Sequence, residues 1–296
     1  AGTCGQKGCN MEYATLSNGV IMPKLGFGVF QVPGDETARC VSDAVEVGYR
    51  HIDTAQSYMN ESEVGQGIRD SGIDRSELFI TTKVWIEHYG YVEARESVER
   101  SLRRLGLDYL DLVLLHQPFA DVYGSWHALE ELYKEGKVRA IGVSNFSPVR
   151  LADLAAFNEI APMINQVETN PFHQQIAAHE HMVARHVQHE AWAPFGEGRS
   201  GMFTNPVLSQ IAEDHGKSVA QVVLRWLMQR DIVALAKSTH KERMEENLDI
   251  FDFTLTDAEM QSIATLDTTA SLFFDHDDPH TVDMFVRMVG ERHGRA

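Results

Sequence analysis

At 296 residues the chain is longer than most single domains and close to the roughly 250 residues of an α/β barrel. Hydrophobic residues make up 43% and charged residues 23%, a globular composition that argues against a disordered or fibrous protein. Asp and Glu number 43 against 26 Lys and Arg, a formal charge of −17 whose field repels phosphate backbones and anionic membranes, so neither nucleic acid nor membrane is an expected partner.

Strand and helix signals alternate from the start. Ser17-Asn18-Gly19 between short extended runs predicts a hairpin over Thr15–Met22. Leu25–Phe30 reads as a strand, Asp35–Val47 as a helix stopped by Gly48, and Tyr49–Asp53 as a strand. A helix over Glu61–Arg69 and a strand over Leu78–Lys83 follow. In Val92–Leu105, Ala94, Val98, Leu102 and Leu105 recur at helical spacing, and Gly106 stops the helix. Tyr109–His116 is nearly continuous in apolar residues, as befits a strand buried on both faces. Helix and strand signals continue through Ser125–Glu135, Val138–Val143, Pro148–Ala156, Met163–Val167, Ile176–His186 and Val187–Trp192. Ser218 with Gln221 and Thr256 with Glu259 form capping boxes on either side of a last strand, Ile232–Ala236.

Eight strands after the hairpin, separated mostly by helices, predict a closed (β/α)8 barrel with parallel strands. No G-x-G-x-x-G follows the first strand, which counts against a dinucleotide-binding open sheet. Residues 11–296 read as a single domain, and residues 1–10, AGTCGQKGCN, as a tail without a secretory apolar region. Cys4, Cys9 and Cys40 are too few for a disulfide framework and suit the cytoplasm.

A barrel of this kind does its chemistry at the C-terminal ends of its strands. Asp53, Lys83 and His116 end the predicted second, third and fourth strands, and Tyr58 follows in a loop. Taken singly, Lys83 reads as a solvated strand end, Asp53 as a helix cap, Tyr58 as a packing residue and His116 as a neutral core imidazole. Together they suit carbonyl reduction. Hydride addition builds negative charge on the carbonyl oxygen, and a proton must reach it. A free phenol near pKa ~10 is too weak an acid, but an adjacent ammonium stabilises the phenolate, and the expectation is a lowered pKa at Tyr58. Asp53 would pin Lys83, and a neutral His116 would orient the substrate oxygen.

The sequence resembles the aldo-keto reductases over nearly all of residues 13–280, in YRHIDTAQSY (49–58), ITTKVW (80–85), LVLLHQP (112–118), IGVSNF (141–146), INQVE (164–168), EAWAPFG (190–196) and AKSTHKERMEEN (236–247). The short GEGRSGMFTNP connection is similar to microbial diketogluconate- and glyoxal-reductase types. The resemblance implies NADPH-dependent reduction of small aldehydes, ketones or α-dicarbonyls by a monomer, with Tyr58 as general acid, a C-terminal loop near the active site and no metal. It implies that Ser144, Asn145 and Gln166 hold the nicotinamide carboxamide, that Trp192 stacks on its ring, and that Pro194 and Phe195 line the site. It further implies that Lys237, Ser238 and Arg243 grip the adenosine 2′-phosphate, that Thr239 also binds the cofactor and that Glu246 and Asn247 lie near the adenine. The anion assignment also has local support: Lys237 and Arg243 flank the junction of a strand and a helix, whose N-terminus favours negative charge.

Departures from the family pattern concern the pocket. Gln117 stands where many relatives have Trp, Ala236 where Pro is usual, Ala193 where Ser is common and Phe30 where Trp or Tyr is frequent. The expected pocket wall is Phe27, Phe30, Trp85, His116 and Phe119, with Phe273 or Phe274 from the C-terminal segment. Two rival functions fit parts of the same residue set: a non-catalytic NADPH-binding barrel serving as sensor or accessory subunit, and a metal hydrolase using His51, Asp53 and His116. A histidine cluster, His173, His179, His181, His186 and His189, reads as a solvated helix face.

Overall fold

Asn18 and Gly19 turn the chain so that β1 (Tyr13–Thr15) and β2 (Ile21–Pro23) pair antiparallel, with Ala14 opposite Met22. This computed structural model describes residues 10–293, so the predicted tail lies outside the described residues apart from Asn10. The chain then alternates between strand and helix: β3 (Leu25–Gly28), α1 (Gly34–Val47), β4 (His51–Asp53), α2 (Glu61–Ser71), β5 (Phe79–Val84), α3 (Tyr91–Leu105), β6 (Leu110–Leu115) and α4 (Val122–Lys134). It continues through β7 (Val138–Ser144), α5 (Pro148–Ala156), β8 (Ile164–Glu168), α6 (Ile176–Ala184), β9 (Gln188–Trp192), α7 (Pro206–His215), α8 (Val219–Gln229) and β10 (Val233–Ala236). Three helices close the described chain: α9 (Lys241–Leu248), α10 (Asp257–Ala264) and α11 (Pro279–Arg292).

Strands β3 to β10 form one closed parallel barrel, β10 pairing with both β3 and β9. The reason is visible in β6, whose LDLVLL side chains are all buried: one face fills the barrel and the other meets the helices. Ser218 and Thr256 each make the reciprocal capping-box bonds expected of them. Gly106 ends α3 at φ 69°, a left-handed turn that a side chain would strain.

Three elements depart from the sequence reading. Helix α6 stops at Ala184, and His186 takes a left-handed φ of 57°, so His186 and His189 do not continue its face. His189 lies in β9, buried, with Nε2 2.8 Å from Thr169 Oγ1 and Nδ1 3.0 Å from His179 Nδ1; the cluster is therefore only partly a solvated face. Phe27 is 1% exposed and meets Tyr49 edge-on at 5.8 Å, because its position in β3 turns it toward the helix layer; it is core, not pocket wall. After the C-terminal loop comes α11, capped by Asp278 with Pro279 in its first turn, and its Phe285 packs against Trp85, Phe119, Phe274 and His276.

Candidate active site

Because the strands are parallel, their C-terminal ends share one rim, where a cavity of about 740 Å³ opens. Asp53 is the last residue of β4, and Lys83 the penultimate residue of β5. Lys83 is fully buried and its ammonium makes three bonds: to Asp53 Oδ1 at 2.5 Å, to the Thr54 carbonyl at 3.1 Å and to Tyr58 Oη at 3.2 Å. Tyr58 sits on a single 3₁₀ turn, Gln56–Tyr58. Gln56 holds that turn in place: its amide donates to Ser97 Oγ at 3.0 Å and Ser101 Oγ at 3.2 Å, and its oxygen accepts from the Trp85 N–H at 3.0 Å. His116 follows β6 directly, with Nδ1 3.4 Å from Ser57 Oγ and its ring edge-on to Tyr58 and Trp85. The four residues expected to act together therefore meet at the rim.

Their protonation follows from burial and charge. Burial alone would depress the Lys83 ammonium, but Asp53 and Tyr58 outweigh it and the pKa rises, so Lys83 stays charged. Burial holds His116 well below its ordinary range, reinforced by the Lys83 charge, so its imidazole is neutral. Tyr58 corrects the sequence expectation. Lys83 does pull its pKa down, but burial pushes harder and the net direction is upward. The phenol is thus protonated at neutral pH, ready to give a proton, and Lys83 limits the cost of the phenolate left behind.

Of the residues expected to hold the dinucleotide, Ser144, Asn145, Gln166, Trp192, Pro194, Phe195 and Lys237 line this cavity, while Ser238, Thr239, Arg243, Glu246 and Asn247 lie beyond it, in the turn into α9 and in α9 itself. Ser144 Oγ donates to the Gln166 carbonyl at 2.7 Å, and Gln166 Nε2 donates to Asp53 Oδ2 at 3.0 Å. Asn145, at φ 64°, donates to the His116 carbonyl at 3.0 Å and accepts from Trp192 Nε1 at 2.9 Å. Half-buried Trp192 presents its indole to the cavity beside Pro194 and Phe195. Lys237 lies at the end of the cavity and is exposed. Ser238 accepts from the His240 N–H at 3.0 Å, shaping the turn into α9, and the Thr239 carbonyl accepts from Arg39 at 3.2 Å. Arg243 is exposed in the first turn of α9, Glu246 is half-buried, and Asn247 is buried. Among the described residues neither Lys237 nor Arg243 has an ion-pair partner. Lys237 at the edge of a cavity walled by a half-buried indole, and Arg243 in the first turn of the helix that follows, are two unpaired cations that suit a dinucleotide carrying a phosphate.

The opposite wall is largely aromatic. Phe30, Trp85, Phe273 and Phe274 line the cavity as expected, joined by Met284, Phe285, Met288 and Arg292 of α11, which the sequence reading missed. The Asp278-Pro279 start followed by Val282, Phe285 and Val286 is the signal that could have revealed them. Phe119 stands one layer back, in an adjoining groove, stacked on His276 at 6.1 Å. The gap left by Gln117 is filled by a polar contact: His276 Nε2 lies 2.9 Å from Gln117 Oε1. The metal-hydrolase geometry is absent. Among the described residues the one cluster with metal-ligand spacing is His51, Asp53 and Glu190, without His116, and Lys83 already sits on Asp53.

The model of the Aldo/keto reductase family matches residues 24–268. The chain is 50% identical to a glyoxal reductase of Bacillus subtilis (strain 168) over 253 residues, 85% of this chain and 91% of that one. It is 48% identical to a 9,11-endoperoxide prostaglandin H2 reductase of Trypanosoma cruzi (strain CL Brener) over 276 residues, 91% of this chain and 96% of that one. Among solved structures it is similar to a Bombyx mori aldo-keto reductase in complex with NADP, at TM-score 0.86 and 33% identity, covering 90% of this chain and 96% of the other.

Proposed function

We propose, for a chain that belongs to the aldo/keto reductase family, that Tyr58 is the proton donor of the reaction. The protein is an NADPH-dependent oxidoreductase that reduces carbonyl groups of small molecules to alcohols. NADPH supplies the hydride when bound. The Tyr58 hydroxyl donates to the carbonyl oxygen as negative charge builds there, and Lys83, pinned by Asp53, compensates the phenolate that remains. Neutral His116 offers an N–H to the same oxygen and orients it. The observation that carries this reading is the Asp53–Lys83–Tyr58 chain, with contacts of 2.5 and 3.2 Å.

Ser144, Asn145 and Gln166 would hold the nicotinamide carboxamide, with Trp192 against its ring beside Pro194 and Phe195. Lys237, Ser238, Thr239 and Arg243 would hold the 2′-phosphate, with Glu246 and Asn247 toward the adenine. The free cationic side chains of Lys237 and Arg243 support that placement. Phe30, Trp85 and Phe274 make an apolar wall, which supports small aldehydes, ketones and α-dicarbonyls as substrates; the glyoxal reductase relative favours the dicarbonyls. No described helix is long and apolar enough to cross a membrane. We read the protein as a monomer of the cytoplasm, the compartment being supported by the low cysteine content.

Turnover of a carbonyl panel (methylglyoxal, diketogluconate, aromatic aldehydes, keto esters), followed by NADPH absorbance, tests the substrate class. Tyr58→Phe tests the donor: turnover falls by at least ~10²-fold while NADPH affinity stays close to wild type. Near-normal turnover in that variant contradicts the assignment.

A further inference from the structure

Beneath the catalytic rim, the barrel interior holds two ionisable side chains that the reaction above does not use, His51 and Glu190. With Asp53 they form a buried trio in which one oxygen or nitrogen atom from each residue lies within 4.8 Å of the other two. The fold makes room for it deliberately at one point: a Cβ on Gly26 would stand 2.4 Å from His51 Nδ1. The two carboxyl groups are provided for very differently. Asp53 Oδ1 accepts from Lys83 at 2.5 Å, and Oδ2 accepts from Gln166 at 3.0 Å. Both oxygens of Glu190 are buried and accept no well-formed hydrogen bond, and His51 Nε2 is 3.7 Å from Oε1.

A carboxylate out of water needs a cation or several donors. One ammonium cannot balance two neighbouring carboxylates, so one of them keeps its proton. Lys83 and Gln166 bond to Asp53. Glu190 is therefore the one that stays neutral.

We propose that Glu190 is a positioning residue for the proton donor: a neutral acid behind Asp53, it leaves Lys83 matched to a single carboxylate, so that the ammonium's field reaches the Tyr58 hydroxyl. The inference rests on Tyr58 being the donor. When Glu190 ionises, its proton goes to solvent and a second anion stands beside Asp53. Lys83 is then shared between two carboxylates, and the phenolate left after proton transfer becomes costlier.

The ionisable groups facing Glu190 are Asp53 and His51 from β4, Lys83 from β5 and Tyr58 from its 3₁₀ turn; β8 contributes neutral Gln166, and the residue paired from β10 is Val233. Burial, with Asp53 adding to it, outweighs the opposing pull of a Gln166 hydrogen bond and the Lys83 charge and pushes Glu190 up to about 8; once ionised, Glu190 in turn raises Tyr58. His51 supplies no compensating charge, since burial lowers its pKa to about 4.

The test is the pH dependence of kcat at saturating NADPH for wild type, Glu190→Gln and Glu190→Asp, together with infrared difference spectra. The wild type is expected to lose turnover on the alkaline side through an ionisation near 8. Glu190→Gln keeps the shape without the proton, and its loss moves up by about one pH unit or more. Glu190→Asp restores a fall near the wild-type position. A protonated-carboxyl band should be present in wild type at neutral pH, fade over the same range and be missing from Glu190→Gln. An unchanged alkaline limb in Glu190→Gln, or a band that this substitution leaves in place, overturns the proposal. If Glu190→Gln does not fold, the wild-type spectra decide: no protonated-carboxyl band near pH ~7, or one that persists to pH ~9.5, overturns it. Failure of the Tyr58 assignment is separate, appearing as normal turnover in Tyr58→Phe, with the infrared band unaffected.

Discussion

Two buried aspartates in the barrel meet cations, one at each end. Asp111, near the start of β6, is fully buried and saturated: Oδ2 accepts from Arg75 at 2.7 Å and from the Ile80 N–H at 2.8 Å, and Oδ1 accepts from Arg139 at 2.8 Å. Arg75 gives further donors to the Leu78 and Tyr109 carbonyls, at 2.8 and 3.0 Å. Asp53, at the end of β4, has nearly the same chemistry around it, but the third donor of its cation is aimed at a phenol that borders a cavity. The first cluster has no group left that can change its protonation state usefully, and it works as a brace. The second keeps one bond for a group that can give up a proton, and that bond makes it a site.

Breaking each cluster should separate the two roles. Lys83→Met leaves Asp53 buried without its cation, and is expected to cost about 3–5 kcal/mol of stability and at least ~10²-fold in turnover of the folded enzyme. Arg75→Met, at the other end, is expected to cost about 1–3 kcal/mol in a denaturant melt while turnover of the folded enzyme stays within about twofold. A comparable loss of kcat from Arg75→Met would erase the distinction.

The rim's outer charges sharpen the contrast, since they stand free and waiting for a partner. Arg243→Ala should weaken NADPH binding by about 1.5–3 kcal/mol, roughly 10- to 150-fold, and leave NADH nearly unaffected. Titration fluorimetry with both cofactors decides; equal losses would contradict the 2′-phosphate assignment.

A separate effect, on stability rather than on turnover or binding, follows from the neutral imidazoles of the interior and the pocket wall. Burial lowers His51 and His276 to about 4 and holds His116 and His189 well below the ordinary 6.5. In the unfolded chain these rings take protons below pH ~6.5 that the folded protein refuses, so stability is present above that pH and declines as pH falls toward about 4. Thermal melts across that window should show a steady fall in Tm; a flat profile would mean that the rings are solvated.

Much of this was legible in the sequence because parallel strands in a barrel leave little freedom. Apolar runs and Gly stops fix the order of elements, and the order puts Asp53, Lys83 and His116 on one rim. What was not legible depends on facing and on distance along the chain. Phe27 turns to the helices through its position in β3, which no local pattern reveals. The upward shift of Tyr58 depends on how deeply the fold buries it, not on its spacing from Lys83. Gln117 meets His276 across 159 positions, and Glu190 reaches Asp53 only because the barrel closes. His189 falls in the strand read over Val187–Trp192, but its grouping with a solvated helix face fails because β9 turns its ring into the interior.

The most direct measurement is a crystal structure of the protein with NADP+ and an unreactive carbonyl compound. The account predicts the carbonyl oxygen within about 2.6–3.2 Å of Tyr58 Oη, its carbon about 3–3.5 Å from the reactive carbon of the nicotinamide, and Lys83 still bonded to Asp53. A carbonyl oxygen out of reach of Tyr58, or a Lys83 ammonium turned away into solvent, would contradict it.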